Sequence, residues 1–161
     1  MKALELYIHI PFCVRKCKYC DFLSGPATRA EQEMYVESLC REICSYTDLA
    51  KAYRVVSIFL GGGTPSTLEA EQTESIFAAI NRTFTIAEDA EITIELNPGT
   101  VDEKKLCAYQ KCGINRLSIG LQSADNRELR MLGRIHTYEE FLHTYRQAKE
   151  AGFTNINIDL M

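Results

Sequence analysis

The 161-residue sequence has no long apolar run and no excess of positive charge. The apolar stretch near its N-terminus, "LELYIHI", is about seven residues long, against the roughly 20 that cross a bilayer, and His9 and Pro11 break it. No small-residue cleavage site follows, so neither a transmembrane segment nor a secretory leader is read there. Eighteen basic against twenty-two acidic side chains give a formal charge of -4, which removes the field that steers nucleic acid or an acidic membrane surface toward a protein. Repeats are absent as well, and the length suits one ordinary domain with its own core. The expectation is a cytoplasmic protein without a nucleic-acid partner.

What the chain does have is cysteine, seven in all. In a reducing compartment an odd set of thiols serves as ligands, nucleophiles or core fillers rather than disulfides. Cys40 and Cys44, four apart in "EMYVESLCREICSY", share a predicted helix face with Val36 and Leu39, and Cys107 and Cys112 flank the end of another helical stretch. These four are expected to pack inside as small apolar residues. Cys13, Cys17 and Cys20 differ, because "HIPFCVRKCKYCDF" gathers them into one loop after a short strand. The spacing C-x3-C-x2-C lets three thiolates converge, one fewer than the irons of a cubane iron-sulfur cluster, so one iron would stay open. A structural zinc ion is the alternative, with His9 or Asp21 as its fourth ligand.

The remainder alternates between two periods. Residues 4–10, 55–60, 91–96, 116–120 and 155–160 are short, β-branched-rich runs bounded by glycine, proline or polar residues. Residues 28–47, 69–82, 102–110, 125–132 and 137–150 carry apolar residues at three- and four-residue spacing, and "TRAE" and "TYEE" offer capping boxes. Strands alternating with helices pair in parallel, since a crossover helix joins parallel neighbours. The fold class is therefore α/β with parallel strands. The fifth strand reaches the last residue, which points to a larger natural domain and to an uncovered edge at Ile156, Ile158 and Leu160.

The strand ends carry polar and glycine signals. "LGGGTP" (60–65) has three successive glycines that let a backbone approach a ligand, and no lysine follows to make it a Walker loop. Glu95 ends the third strand, Gln122 follows the fourth and Asp159 ends the fifth. In a parallel barrel such positions open on one face.

With "CVRKCKYC", "GGGTP", "ELNPG", "RLSIGLQS", "LGRIHT" and "NINIDLM" in this order, the chain resembles the N-terminal part of radical S-adenosylmethionine (SAM) proteins over essentially its whole length. Within these it is most similar to the oxygen-independent coproporphyrinogen III oxidase group, and especially to its HemW-type heme-chaperone branch. The resemblance implies a partial (β/α) barrel truncated after the fifth strand, with residues 1–161 as the N-terminal part of the core domain and the rest of the core and a C-terminal domain absent. It implies that Cys13, Cys17 and Cys20 ligate a 4Fe-4S cluster whose open iron takes the amino and carboxylate groups of SAM. Tyr7 and Tyr19 match aromatic SAM contacts. Gly62, Gly63 and Thr64 would line the methionine end, Glu95 would accept its polar hydrogens, and Gln122, Arg134 and Asp159 would complete the pocket. No side chain is assigned as a catalytic acid, base or nucleophile. Phe22 stands where the oxidase pattern has a further cysteine. That departure favours a heme-binding chaperone, delivering heme to respiratory acceptor proteins at the membrane, over a porphyrin-biosynthetic decarboxylase of coproporphyrinogen III.

Overall fold

The computed structural model describes all 161 residues. Five parallel strands form one sheet in the order of the chain: β1 (Lys2–Ile10), β2 (Tyr53–Gly62), β3 (Ile86–Leu96), β4 (Arg116–Gln122) and β5 (Asn155–Leu160). A doubly wound sheet reverses its order at a switch point. This one never does, which is the strand order of a barrel wall.

The connections are α1 (Arg29–Ser45), α2 (Thr47–Ala50), a 3-10 turn at Pro65–Thr67, α3 (Ala70–Thr83), α4 (Glu103–Lys111), α5 (Asn126–Leu132) and α6 (Tyr138–Glu150). Both expected capping boxes form, Thr28 with Glu31 and Thr137 with Glu140. The helix read over 28–47 ends two residues early at Ser45, and α2 follows as a separate short turn. No helix is long and apolar enough to cross a membrane.

Parallel register sorts the strand residues into two faces. Ile8, Leu60, Ile94, Leu117 and Ile156 pair in one row across all five strands, and the middle three are fully buried in the main core. The opposite face carries Tyr7, His9, Phe59, Thr93, Glu95, Ser118 and Asn157 at alternate positions. Since successive side chains point to opposite sides of a strand, the chain builds an apolar face and a polar one from the same strands. On β5, Ile158 and Leu160 are exposed as expected, whereas Ile156 is half-buried against the core.

The expectation that four cysteines pack inside needs correction. Cys44 and Cys107 are exposed, while Cys40 and Cys112 are half-buried. Helix α1 buries only Val36 and Ile43, and Cys44, one residue past Ile43, is turned about 100° off that line. Helix α4 buries Leu106, Ala108 and Tyr109, leaving Cys107 on the outer side. Burial does act on Cys112, whose thiol is pushed up to about 11.

Ile94 is fully buried in the central strand, so Ile94→Ala is expected to lower unfolding free energy by about 2–5 kcal/mol. Removing the cap with Thr137→Ala should cost only about 1 kcal/mol. Urea unfolding of both variants beside the parent checks this order.

Candidate functional site

The loop after β1 is held by its backbone before any ligand is considered. The Cys13 N–H donates to the Gly25 carbonyl at 2.9 Å and the Gly25 N–H to the Pro11 carbonyl at 3.0 Å, closing the loop at its base. Its middle is tied to the segment after α5: the Lys18 N–H donates to the Leu132 carbonyl at 3.0 Å, and Arg15 Nη2 to the Gly133 carbonyl at 2.8 Å. Gly133 ends α5 in the left-handed conformation, φ 80°. A Cβ there would lie 3.1 Å from Lys18 Cγ and 3.2 Å from Lys18 N, so a side chain would push the cysteine loop away.

The glycine run does the same for the other wall. The Gly63 N–H donates to the Ile10 carbonyl at 2.8 Å and the Thr64 N–H to the Phe12 carbonyl at 2.7 Å. A Cβ on Gly63 would sit 2.6 Å from the Phe12 oxygen. The run is therefore a close approach of two backbones, beyond a simple turn.

These contacts shape a cavity of about 310 Å³ at the carboxyl ends of the strands. Cys13, Cys17, Cys20 and Tyr19 line it from the loop, and Gly62, Gly63 and Thr64 from the end of β2. Glu95, Gln122, Arg134 and Asp159 line it from β3, β4, the segment after α5, and β5. Eleven of the twelve residues singled out by sequence thus share one space. Tyr7 is the exception: on edge strand β1 it is 60% exposed, stacks on Phe59 at 6.2 Å and donates from its hydroxyl to His9 Nδ1 at 3.1 Å. Glu95 does not cap a helix, the other role its "ELNPG" setting allows; its Oε2 accepts from the Gly62 N–H at 3.1 Å.

His9 is not open to act as the fourth ligand of a zinc ion. His9 donates from Nε2 to the Leu23 carbonyl at 3.0 Å and accepts at Nδ1, so both ring nitrogens are engaged. A cubane cluster takes each thiolate on a different iron, and the three loop thiols line one cavity of about 310 Å³.

Charge gives a second test of fit. Arg134, 8% exposed, takes part in no ion pair. Its Nη1 donates to Cys17 Sγ at 3.7 Å and to Tyr19 Oη at 3.4 Å; its Nη2 donates to Asn97 Oδ1 at 2.6 Å and to the Gly120 carbonyl. A buried cation without an anion is costly, and Cys17, among its partners, is a side chain that a bound cluster would hold as a thiolate. The donor set therefore suits a thiolate-bound, negatively charged group.

The opposite wall is acidic. Burial, and secondarily the nearby Asp159 carboxylate, lift the Glu95 carboxyl above its ordinary range, while the Gly62 N–H pulls the other way. Asp159 accepts from Ser118 Oγ at 3.0 Å and from Asn157 Nδ2 at 2.7 Å. Gln122, the only non-glycine residue at positive φ (71°), turns the chain at the end of β4. The sequence reading missed Ser118, Asn97 and His136. Ser118 was reachable by period-two alternation once β3 and β4 were paired, whereas Asn97 and His136 sit inside the blocks "ELNPG" and "LGRIHT" with no periodicity that assigns them a role.

Comparison with known proteins agrees with this geometry. A model of the radical SAM superfamily matches residues 7–161. The heme chaperone HemW of Escherichia coli (strain K12) is 42% identical over 163 residues, covering 100% of this chain and 43% of the relative. The mitochondrial radical S-adenosyl methionine domain-containing protein 1 of Mus musculus is 35% identical over 156 residues, covering 97% of this chain and 35% of its own. Among solved structures, the coproporphyrinogen III oxidase HemN from Escherichia coli, a radical SAM enzyme, superimposes with a TM-score of 0.90 at 31% identity, covering 99% of this chain and 37% of that one. The chain thus spans less than half the length of these relatives.

His136 gives the site a pH signature. It is 6% exposed, donates from Nε2 to the Leu121 carbonyl at 3.2 Å, and burial together with the Arg134 charge pushes its pKa down to about 4. The unfolded chain takes up this proton near pH 6.5 and the folded chain only near 4, so stability is complete above pH 6.5 and falls as pH drops toward 4. The loss is expected to be about 2 kcal/mol, less than the full 1.36 kcal/mol per unit because solvent reaches the adjoining cavity. Stability measured against pH should show a shallower acid slope in His136→Gln than in the parent.

Proposed function

The chain belongs to the radical SAM superfamily, and from that premise we propose that it binds a 4Fe-4S cluster through Cys13, Cys17 and Cys20, holds SAM in the adjoining cavity, and serves a heme chaperone. The observation that carries this reading is the cavity itself, where three loop thiols and an unpaired buried guanidinium share one space with a half-buried carboxylate and a glycine-lined strand end. Whole-chain similarity to HemW heme chaperones supports the heme assignment.

Each wall has a task under this proposal. Arg134 and Thr64 donate to the sulfurs of Cys17 and Cys13 and offset thiolate charge. Gly62 and Gly63 bring main-chain N–H and C=O groups to the ligand without steric bulk. Glu95 has one oxygen taken by the Gly62 N–H, so the other is free to accept from an ammonium or hydroxyl of SAM. Ser118 and Asn157 hold Asp159 in place. When bound, the cluster and SAM would supply one-electron reductive chemistry.

Heme binding, and transfer to a respiratory acceptor protein, extend the proposal to the whole protein. The second reading, decarboxylation of coproporphyrinogen III to protoporphyrinogen IX, draws on the structural match to HemN. Phe22 at the position of the oxidase pattern's additional cysteine favours the chaperone. Incubating full-length protein with heme and with coproporphyrinogen III under anaerobic reducing conditions separates the two: the chaperone retains heme and forms no protoporphyrinogen.

Two outcomes are expected of the chain itself. Anaerobic reconstitution with iron and sulfide should load about four of each per chain, and Cys13→Ala, Cys17→Ala or Cys20→Ala should each lose most of that uptake. A Cys20→Ala chain that loads fully, or a parent that takes one zinc and no sulfide, would contradict the cluster assignment. Glu95→Ala should bind SAM about ten- to a hundredfold more weakly at unchanged iron content, the worth of one hydrogen bond to a charged group. Since burial raises the Glu95 pKa, parent SAM affinity should fall as the pH is lowered into the range where that carboxyl protonates, and the fall should be absent from Glu95→Ala. Equilibrium binding across pH reads both effects.

A further inference from the structure

The side chain of Asn97, just past the end of β3, touches neither a thiol nor the acidic wall, yet it stands between the two groups that touch sulfur. Its Nδ2 donates to Thr64 Oγ1 at 2.8 Å, and Thr64 Oγ1 in turn donates to Cys13 Sγ at 3.5 Å. Its Oδ1 accepts from Arg134 Nη2 at 2.6 Å, and Nη1 of the same guanidinium reaches Cys17 Sγ at 3.7 Å. Two of the three loop sulfurs are thus linked through one amide.

The direction of every bond in this chain follows from the arginine. A guanidinium has only donors, so the oxygen of the Asn97 amide must face Arg134 and its nitrogen must face Thr64. Thr64 Oγ1 therefore receives a proton from Asn97, and its own single proton is left for Cys13. Were the amide turned over, two donors would confront each other at Arg134, and Thr64 would have to spend its proton on Asn97.

The backbone keeps the amide in place. The Asn97 carbonyl accepts from Thr100 Oγ1 at 2.6 Å and from the Thr100 N–H at 3.2 Å, and the Asn97 N–H donates to Ser66 Oγ at 3.4 Å. Gly120 leaves the room the network occupies: a Cβ there would sit 2.9 Å from Asn97 Oδ1 and 3.0 Å from Arg134 Nη2.

We propose that Asn97 is a positioning residue that sets the reduction potential of the cluster, by aiming the Thr64 hydroxyl at Cys13 and the Arg134 guanidinium at Cys17. The inference rests on the cluster reading given above. Hydrogen bonds and positive charge at the sulfurs stabilise the more negative, reduced cluster, and so raise its potential. Asn97 acts on both sulfurs through other side chains and has no need to contact cluster or substrate.

The test compares Asn97→Asp, Thr64→Val and the double variant with the parent, each reconstituted anaerobically and titrated with dithionite while the reduced cluster is followed by its paramagnetic resonance. Aspartate keeps a partner for Arg134, but both its oxygens accept, so Thr64 turns its proton away from Cys13. The expected result is equal iron and sulfide in all four chains and a midpoint about 59 mV lower in each single variant, a tenfold shift for one electron. Adding Thr64→Val to Asn97→Asp should move the midpoint little further. An unmoved midpoint in Asn97→Asp overturns the inference, and so does a Thr64→Val shift that adds in full to it. A folded Asn97→Asp chain that no longer takes up iron overturns it too, since the residue would then act on assembly rather than on potential. A parent that loads no cluster removes the cluster reading and this inference with it, an outcome distinct from a loaded parent whose variants do not shift.

Discussion

Pairing Glu95 with Ser118, and Ser118 with Asn157, lines polar groups along one face of β3, β4 and β5, while Leu60, Ile94 and Leu117 line the other. Both rows come from the same strands and are separated only by a step of one residue. A slip of one position in any pair would exchange them, sending a carboxylate into the helix-packed core and an aliphatic chain into the cavity. The buried row resists such a slip: Leu60, Ile94 and Leu117 are fully sequestered, and each would bring its share of apolar burial back to water. The position of the site is thus held by residues that never touch it.

On that register rest the two close approaches that attach the cysteine loop. Gly63 lets β2 lie against the residues following β1, and Gly133 lets the end of α5 lie against Lys18. Both bring main chain close to main chain, and the Arg15 side chain adds a bond to the Gly133 carbonyl. Only the cysteines, Tyr19 and Arg15 of that loop turn to the cavity alongside Phe22, so the loop, anchored by its main chain and by Arg15, presents its thiols from a fixed frame.

In and beside the cavity lie polar groups in costly surroundings. Arg134 is buried without a carboxylate, Glu95 is pressed toward its protonated form, and His136, behind Arg134, is held neutral. A folded chain gains nothing from these arrangements on its own account, since each leaves a polar group less well solvated than in water. They make sense as a surface awaiting anionic thiolates on one side and a cationic or polar ligand on the other, and perturbed groups clustered in a cleft are the usual mark of a working site.

How much of this was legible in advance differs by distance along the chain. The three-cysteine spacing, the alternation of short strands with helices and both capping boxes are local patterns, acting within one loop, one pleat or one helical turn, and the sequence by itself determined them. The residue blocks that carried the family resemblance are local in the same sense, which is why eleven of the twelve candidate residues meet in one cavity. The exposure of Cys44 and Cys107 went against expectation because spacing of three and four names a helix face without saying how wide the buried stripe is. Tyr7 does not line the cavity, since its hydroxyl is engaged by His9 and its ring lies against Phe59, a contact that only strand pairing brings about. The meeting of Arg134 with Cys17, 117 residues apart, and the bridging place of Asn97 were decided only by the tertiary structure. Such contacts depend on strand register and on where two loops cross, and no local preference of either residue encodes its partner.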